Sequence, residues 1–259
     1  PTLGVSNNEI ASMASSQHLC QGFGRLSSRG SQDEYVELLK GDMPEDKDNI
    51  FDGVNKKWSR VEGGAAIGDI LYEVEEDFDF TDPTKHLPQL LKAHELISSL
   101  KDEHWKNIKL KEIEEIILSV TGIFVEGSST EASSNPGEKI GLNIEVLNRS
   151  AANVVLEQLM ISTGKTFDSI IPLKENKSIQ LEKEIVIPSE TAYTSPYWLN
   201  ERGTLGMYKV DNSELIGNPE TPRALHINFV LNFDGYKIPI KRPIVYRYAK
   251  PDKGELYQP

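Results

Sequence analysis

The hydrophobic period of this chain changes once, near Gly122, and that change limits the folds open to it. Before it, apolar residues recur at helical spacing. Residues 65–78 place Ile67, Ile70, Leu71, Val74 and Phe78 on one side. Asp82-Pro83 opens a second helix with Leu87, Leu90, Leu91, His94 and Ile97 on its buried face. A third runs over 103–121, with a stripe of Trp105, Ile108, Ile113, Ile116, Ile117 and Val120 and with Gly122 as its C-cap. After Gly122 the period is two. Ile140, Leu142, Ile144 and Val146 alternate with other residues behind the turn signal Asn135-Pro136-Gly137. Val154, Leu156 and Ile161 suggest another strand, and Ile179, Leu181, Ile185 and Ile187 one or two more. Leu225, Ile227, Phe229, Leu231 and Phe233 then lead into Asp234-Gly235, and Tyr236, Ile238, Ile240, Ile244 and Tyr246 return. This is a hairpin signature.

The expected class is therefore α+β and multidomain. A helical segment at 1–121, including a small antiparallel bundle, precedes an antiparallel immunoglobulin-like β-sandwich at 122–259. Ahead of the bundle, Ser6 and Glu9 are spaced as a capping box, which predicts a helix from about Asn8 to Gln21. Gly22, Gly24 and Gly30 end it, 22–33 reads as a loop, and Tyr35–Leu39 is ambiguous between helix and strand.

Charge narrows the function. Of the net −12, residues 1–121 carry 13 Lys+Arg against 23 Asp+Glu, a net of −10. An acidic first half argues against nucleic acid and anionic membrane surfaces as partners. No apolar run reaches the ~18 residues of a membrane span, so no membrane insertion is expected. Cys20 is the sole cysteine, which excludes an internal disulfide and a cysteine zinc cluster. It reads as a structural thiol rather than a nucleophile.

Catalytic patterns are absent from the sequence. Of the histidines at 18, 86, 94, 104 and 226, no two stand three or four apart. His86 and His94 on one helix would be ~12 Å apart along the axis, too far to share a metal. The acidic run from Glu73 to Asp82 lacks the offsets of a calcium loop and reads as a solvated face. Asn148-Arg149-Ser150 and Asn176-Lys177-Ser178 match the glycosylation sequon. Tyr193, Tyr197 and Trp198 cluster in a Ser/Thr/Pro-rich loop at 189–203, where aromatic faces could stack on the apolar C–H face of a sugar. Trp198 also reads as a plug for one end of the sandwich core, the more ordinary fate of a tryptophan.

Several stretches carry a family resemblance. They are Glu9-Ile10-Ala11 through Ser16-Gln17-His18-Leu19-Cys20-Gln21-Gly22-Phe23-Gly24 with Ser28-Arg29-Gly30; Phe51-Asp52-Gly53-Val54-Asn55 with Trp58-Ser59-Arg60-Val61; Asn148-Arg149-Ser150 after Pro136-Gly137-Glu138; and Arg242-Pro243-Ile244-Val245-Tyr246 with Pro251-Asp252-Lys253-Gly254-Glu255. Together they resemble the post-catalytic region of long bacterial LmbE/PIG-L zinc-dependent N-acetylglucosaminyl deacetylases. The family's His-Pro-Asp-Asp and His-x-x-His metal motifs do not occur here. Its helix ending in His-x-Ser-Gln corresponds to His18-Leu19-Cys20-Gln21, with cysteine in place of serine. The resemblance implies that this is an internal fragment, with residues 1–30 the tail of a catalytic-type domain. It also implies that the fragment holds no cofactor, zinc belonging to the missing catalytic domain of the same polypeptide. His18, Gln21, Arg25 and Arg29 would then shape one wall of the substrate cleft. A periplasmic or extracellular location is favoured for the parent protein. The other reading is a stand-alone glycan-binding or adhesion module.

Overall fold

A computed structural model describes residues 4–30 and 32–258. Of the loop expected at 22–33, Ser31 lies outside the described residues. The chain divides into two compact units, Pro1–Val54 and Asn55–Pro259.

In the first unit, helix α1 spans Asn7–Ser16. Its capping box forms as the sequence demands. The Ser6 hydroxyl accepts from the Glu9 amide at 3.2 Å, and the Glu9 carboxylate accepts from the Ser6 amide at 2.9 Å. That backbone hydrogen bond is the main reason the Glu9 carboxyl is held below its ordinary range, with Arg29 adding to it. The helix stops short of Gln21. Its last turn, Ser15-Ser16-Gln17, offers no apolar contact to extend it, and Gly22 adopts a left-handed turn at φ 68°. The remainder of the unit carries no helix or strand among its described residues, Tyr35–Leu39 included.

The second unit opens with three helices, α2 at Ala65–Glu76, α3 at Leu87–Ser98 and α4 at Glu103–Thr121. A short 3-10 turn at Pro83–His86 leads into α3. His86 is buried there, its Nε2 2.8 Å from the Asp77 carbonyl that closes α2, and its ring stacks on Phe78. The α4 stripe differs from the sequence expectation. Ile113, Ile117 and Val120 are buried, but so is Leu118, whereas Ile108 and Ile116 are exposed. Helix α4 meets α3 on one side, and its Glu115 takes both Arg242 guanidinium nitrogens at 2.7 and 3.0 Å. The partners on the two sides, not the apolar count, select which rows face inward.

Gly122 ends α4 in the left-handed conformation, φ 60°, and the Ile123 amide reaches back to the Leu118 carbonyl at 2.9 Å. A β-carbon here would lie 2.8 Å from Arg149 Cβ. Gly122→Ala therefore combines a left-handed L-residue with a clash. It should lower the stability by about 1–2 kcal/mol, read as a reduced urea midpoint with unchanged slope.

Among the described residues, eight strands follow: β1 Phe124–Ser129, β2 Lys139–Leu147, β3 Val154–Ile161, β4 Thr166–Pro172, β5 Ile179–Val186, β6 His226–Phe233, β7 Tyr236–Lys250 and β8 Gly254–Gln258. The order is β4-β3-β6-β7-β1-β2-β5, with β8 also on β7. The fold is thus α+β, but the expected purely antiparallel sheet needs correcting. Strand β1 runs parallel to β7, pairing Gly127 with Ile244 and Ser129 with Tyr246. More than 100 residues separate these strands, so no hairpin constrains their sense. Strand β7 pairs with β6 as far as His226–Pro243 and with β1, on its other edge, from Ile244, whose amide still donates to the Leu225 carbonyl at 3.0 Å. Pro243 has no amide hydrogen, so it leaves no donor unpaired where the β1 ladder begins.

Leu142, Ile144 and Ile185 from one run of strands share a core with Leu156, Phe229 and Ile240 from the other. Helix residues Ile67, Leu90 and Ile117 belong to the same core. The expected division between 121 and 122 follows the change of secondary structure, while the compact units follow this packing. Among the described residues, no helix is long and apolar enough to cross a membrane.

Candidate binding groove

The candidates near the N-terminus lie within the first unit. His18 Nδ1 and Gln21 Oε1 are 2.7 Å apart on an exposed turn. Arg29 Nε pairs with Glu9 Oε1 at 3.1 Å, at the start of α1, and Arg25 is exposed. Cys20 is exposed as well. Two of the four, His18 and Gln21, are therefore brought into contact, and Arg29 is engaged by the capping glutamate. Large apolar side chains nearby in the sequence are uncovered: Leu19 is 86%, Leu26 98%, Tyr35 91% and Leu39 89% exposed. Among the unit's described residues, only Ser12 is buried.

The second unit holds a groove of about 550 Å³. Strand residues line it, Ile140 near the start of β2 and Ile244 and Tyr246 within β7. One wall is the 129–136 connection between β1 and β2. The other is the long connection between β5 and β6, contributed by residues 187–198 and 219–225. The two arms of that connection are latched to each other. Thr221 Oγ1 accepts from the Tyr197 amide at 2.9 Å and donates to the Ser195 carbonyl at 3.1 Å. The Tyr197 hydroxyl donates to the Asn218 carbonyl at 3.1 Å.

Tyr193 and Trp198 line the groove, Tyr193 76% exposed and Trp198 half-buried. Tyr197 does not line it. It is buried behind the wall, edge-on to the Trp198 ring at 4.9 Å between centroids. Its part is to position Trp198 and to tie the arms together.

Sequence reading missed the polar groups of the groove. Arg223 and Glu220 pair at 2.8 Å between Nη2 and Oε2, while Arg223 Nη1 is buried with no hydrogen-bond partner among the described residues. Glu131, in the connection between β1 and β2, also lines the groove. These residues lie more than twenty positions from the aromatic cluster, and no local spacing connects them to it. The turn-forming run Pro219-Glu220-Thr221-Pro222 was the available signal.

The sequon at Asn148 has a structural role. Its side chain is fully buried, donating to the Ala152 and Leu173 carbonyls and accepting from Ser150. Among the described residues, no group of three or more His, Cys, Asp or Glu is arranged to hold a metal ion.

No protein-family model matches this chain, and no curated protein matches it. Among solved structures, it is similar to the Pseudomonas fluorescens alkylpurine DNA glycosylase AlkC bound to DNA containing an abasic site analog, with 15% identity and a TM-score of 0.24. That alignment covers 67% of this chain and 50% of the other, so the chain spans half the length of the protein it is compared with. A likeness at that score carries no argument about fold or activity.

Proposed function

We propose that this chain is a non-catalytic accessory region of a zinc-dependent sugar N-deacetylase, docked on the catalytic domain of the same polypeptide through Pro1–Val54. The exposed apolar side chains of that unit carry the reading. Leu19, Phe23, Leu26, Tyr35, Val36 and Leu39 lie within about twenty residues, each more than half exposed. A segment so rich in uncovered apolar surface marks an interaction face. His18, Gln21, Arg25 and Arg29 lie in the same unit, which supports their assignment to a wall of the substrate cleft. On this reading the metal and the general base belong to the catalytic domain. The strands are read as an immunoglobulin-like sandwich. In support, β1-β2-β5 and β4-β3-β6-β7 contribute to one core and are joined by the parallel β1–β7 ladder.

Hydrogen exchange tests the docking. Amides of residues 19–54 should be protected about tenfold or more in the full polypeptide relative to this chain by itself. Leu26→Glu and Leu39→Glu should reduce that protection while leaving the melting of Asn55–Pro259 unchanged. Equal exchange in both contexts would refute the docking.

A second reading, a glycan-binding or adhesion module, is favoured by one observation: Tyr193 and Trp198 line the same groove. Aromatic rings with an apolar face and a polar edge suit a ligand that is apolar on its faces and polar around its rim.

A further inference from the structure

We infer that the turn Trp58–Arg60 and helix α4 form a site for a phosphate monoester group carried by a soluble molecule. The inference is independent of both readings of the function.

Charge singles out the place. Residues 55–121 hold 9 Lys+Arg against 14 Asp+Glu. Four of those nine, Lys56, Lys57, Arg60 and Lys109, line one open cleft of about 80 Å³, and among the described residues no Asp or Glu lines it. Elsewhere in the segment Lys85, Lys92, Lys101 and Lys106 each pair with a carboxylate. Lys57 and Arg60 have no carboxylate within ion-pair reach among the described residues, and both side chains are open to solvent.

The cleft is built on fixed parts. Trp58–Arg60 is a single 3-10 turn, held against α2 by the Trp58 amide, which donates to the Tyr72 hydroxyl at 3.3 Å. Trp105 and Lys109 stand one turn apart on α4. Arg60 Cζ lies 3.9 Å from the centre of the Trp105 ring, so the indole face holds the guanidinium in place. The N–H groups of that guanidinium donate to no acceptor among the described residues. An arginine steadied by an aromatic face keeps its forked donors for an oxyanion. Lys109 Nζ lies 6.0 Å from the centres of both indoles and 2.6 Å from Glu112 Oε2.

Size and charge choose the occupant. Sites that enclose a whole small molecule run to about 300–1,000 Å³, so a cleft this small takes one terminal group. With Glu112 counted beside the four cations, the net charge is +3. A phosphate monoester brings nearly two negative charges and three acceptor oxygens, whereas a carboxylate brings one charge and two oxygens. The acidic segment around the cleft repels an extended anionic surface and admits a single small group, which favours a soluble carrier over a membrane.

Two-dimensional NMR of the tryptophan indole N–H signals in the whole chain tests this. The chain has three tryptophans, and Trp198 lies outside the cleft as an internal control. Methyl phosphate and glycerol phosphate should shift Trp58 and Trp105 with a Kd of about 1 mM or tighter at low salt, and leave Trp198 in place. Acetate should bind roughly tenfold or more weakly. Arg60→Gln and Lys57→Gln should each weaken methyl phosphate about five- to tenfold, with an unchanged near-UV spectrum. Lys111→Gln removes the same charge from another side of α4 and should change the Kd by less than about twofold. Phosphatidylcholine vesicles doped with phosphatidic acid present the same group on a surface, and should bind no better than undoped ones. The site is refuted if neither phosphate shifts Trp58 and Trp105, if acetate binds equally well, or if Lys111→Gln costs as much as Arg60→Gln. Binding seen only with the doped vesicles would overturn the soluble carrier.

Discussion

Replacing Phe229 with alanine is expected to destabilise the second unit by about 3–5 kcal/mol and to lower its melting temperature by about 10 °C. Phe229 is completely buried on β6, opposite Leu159 of β3 and Ile240 of β7. The pairing on both sides fixes its neighbours, so the space left by the ring cannot close. Phe229→Leu, which keeps much of the volume, should cost far less. Far-UV circular dichroism at a helical and a strand wavelength tests a further consequence. Ile67, Leu90 and Ile117 share the core of Phe229, so α2–α4 and the sheet should melt in one transition. A helical transition that stays in place while the sheet transition falls would contradict the shared core.

Asn148→Asp is expected to be as damaging at neutral pH and partly reversed by acid. The Asn148 Nδ2 donates to the carbonyls of Ala152 at 2.9 Å and Leu173 at 3.3 Å, joining the end of β2 to the segments on either side of β3 and β4. Aspartate has nearly the same shape but sets a carboxylate oxygen against two carbonyl oxygens at a fully buried position. The loss should exceed about 3 kcal/mol at pH 7. Desolvation and the facing carbonyls raise the folded-state pKa of the new carboxyl above the ~3.9 of the unfolded chain. The protonated form can donate again, so the variant is closest to wild type below the unfolded pKa. It loses ground as pH rises through the folded value. Asn148→Ala removes the same bonds without adding a charge, so its deficit should not vary with pH. Urea midpoints for the three proteins between pH 4 and 8 would separate the cases. A pH-independent gap for the aspartate variant would show that position 148 is not desolvated as described.

These two sites illustrate how unevenly the sequence spoke. Phe229 stood in the clearest pattern of the chain, the alternation from Leu225 to Phe233 before Asp234-Gly235, and the structure holds it as a hairpin with Asp234 and Gly235 both at positive φ. Asn148 matched the glycosylation sequon and is a buried junction. A three-residue motif carries no information about what packs on it. The same limit hid β1, β4 and β8. Strand β4, Thr166–Pro172, has no buried residue, so its exposure alternates only between half-buried and exposed and leaves no strong apolar period.

Local chemistry decided whatever depends on neighbours in the chain. The Ser6–Glu9 box, the left-handed Gly122 cap, the length of α4 and the β6–β7 hairpin all follow from residues within a few positions of each other. Tertiary structure decided what depends on distant partners. It set the parallel β1–β7 ladder, the rows of α4 that face inward and the core shared by helices and strands. It also assembled the groove that Arg223 and Trp198 both line. Hydrogen bonds within a turn are specified by short-range geometry, whereas the facing of an apolar stripe and the lining of a cavity are set by what the rest of the chain brings against them.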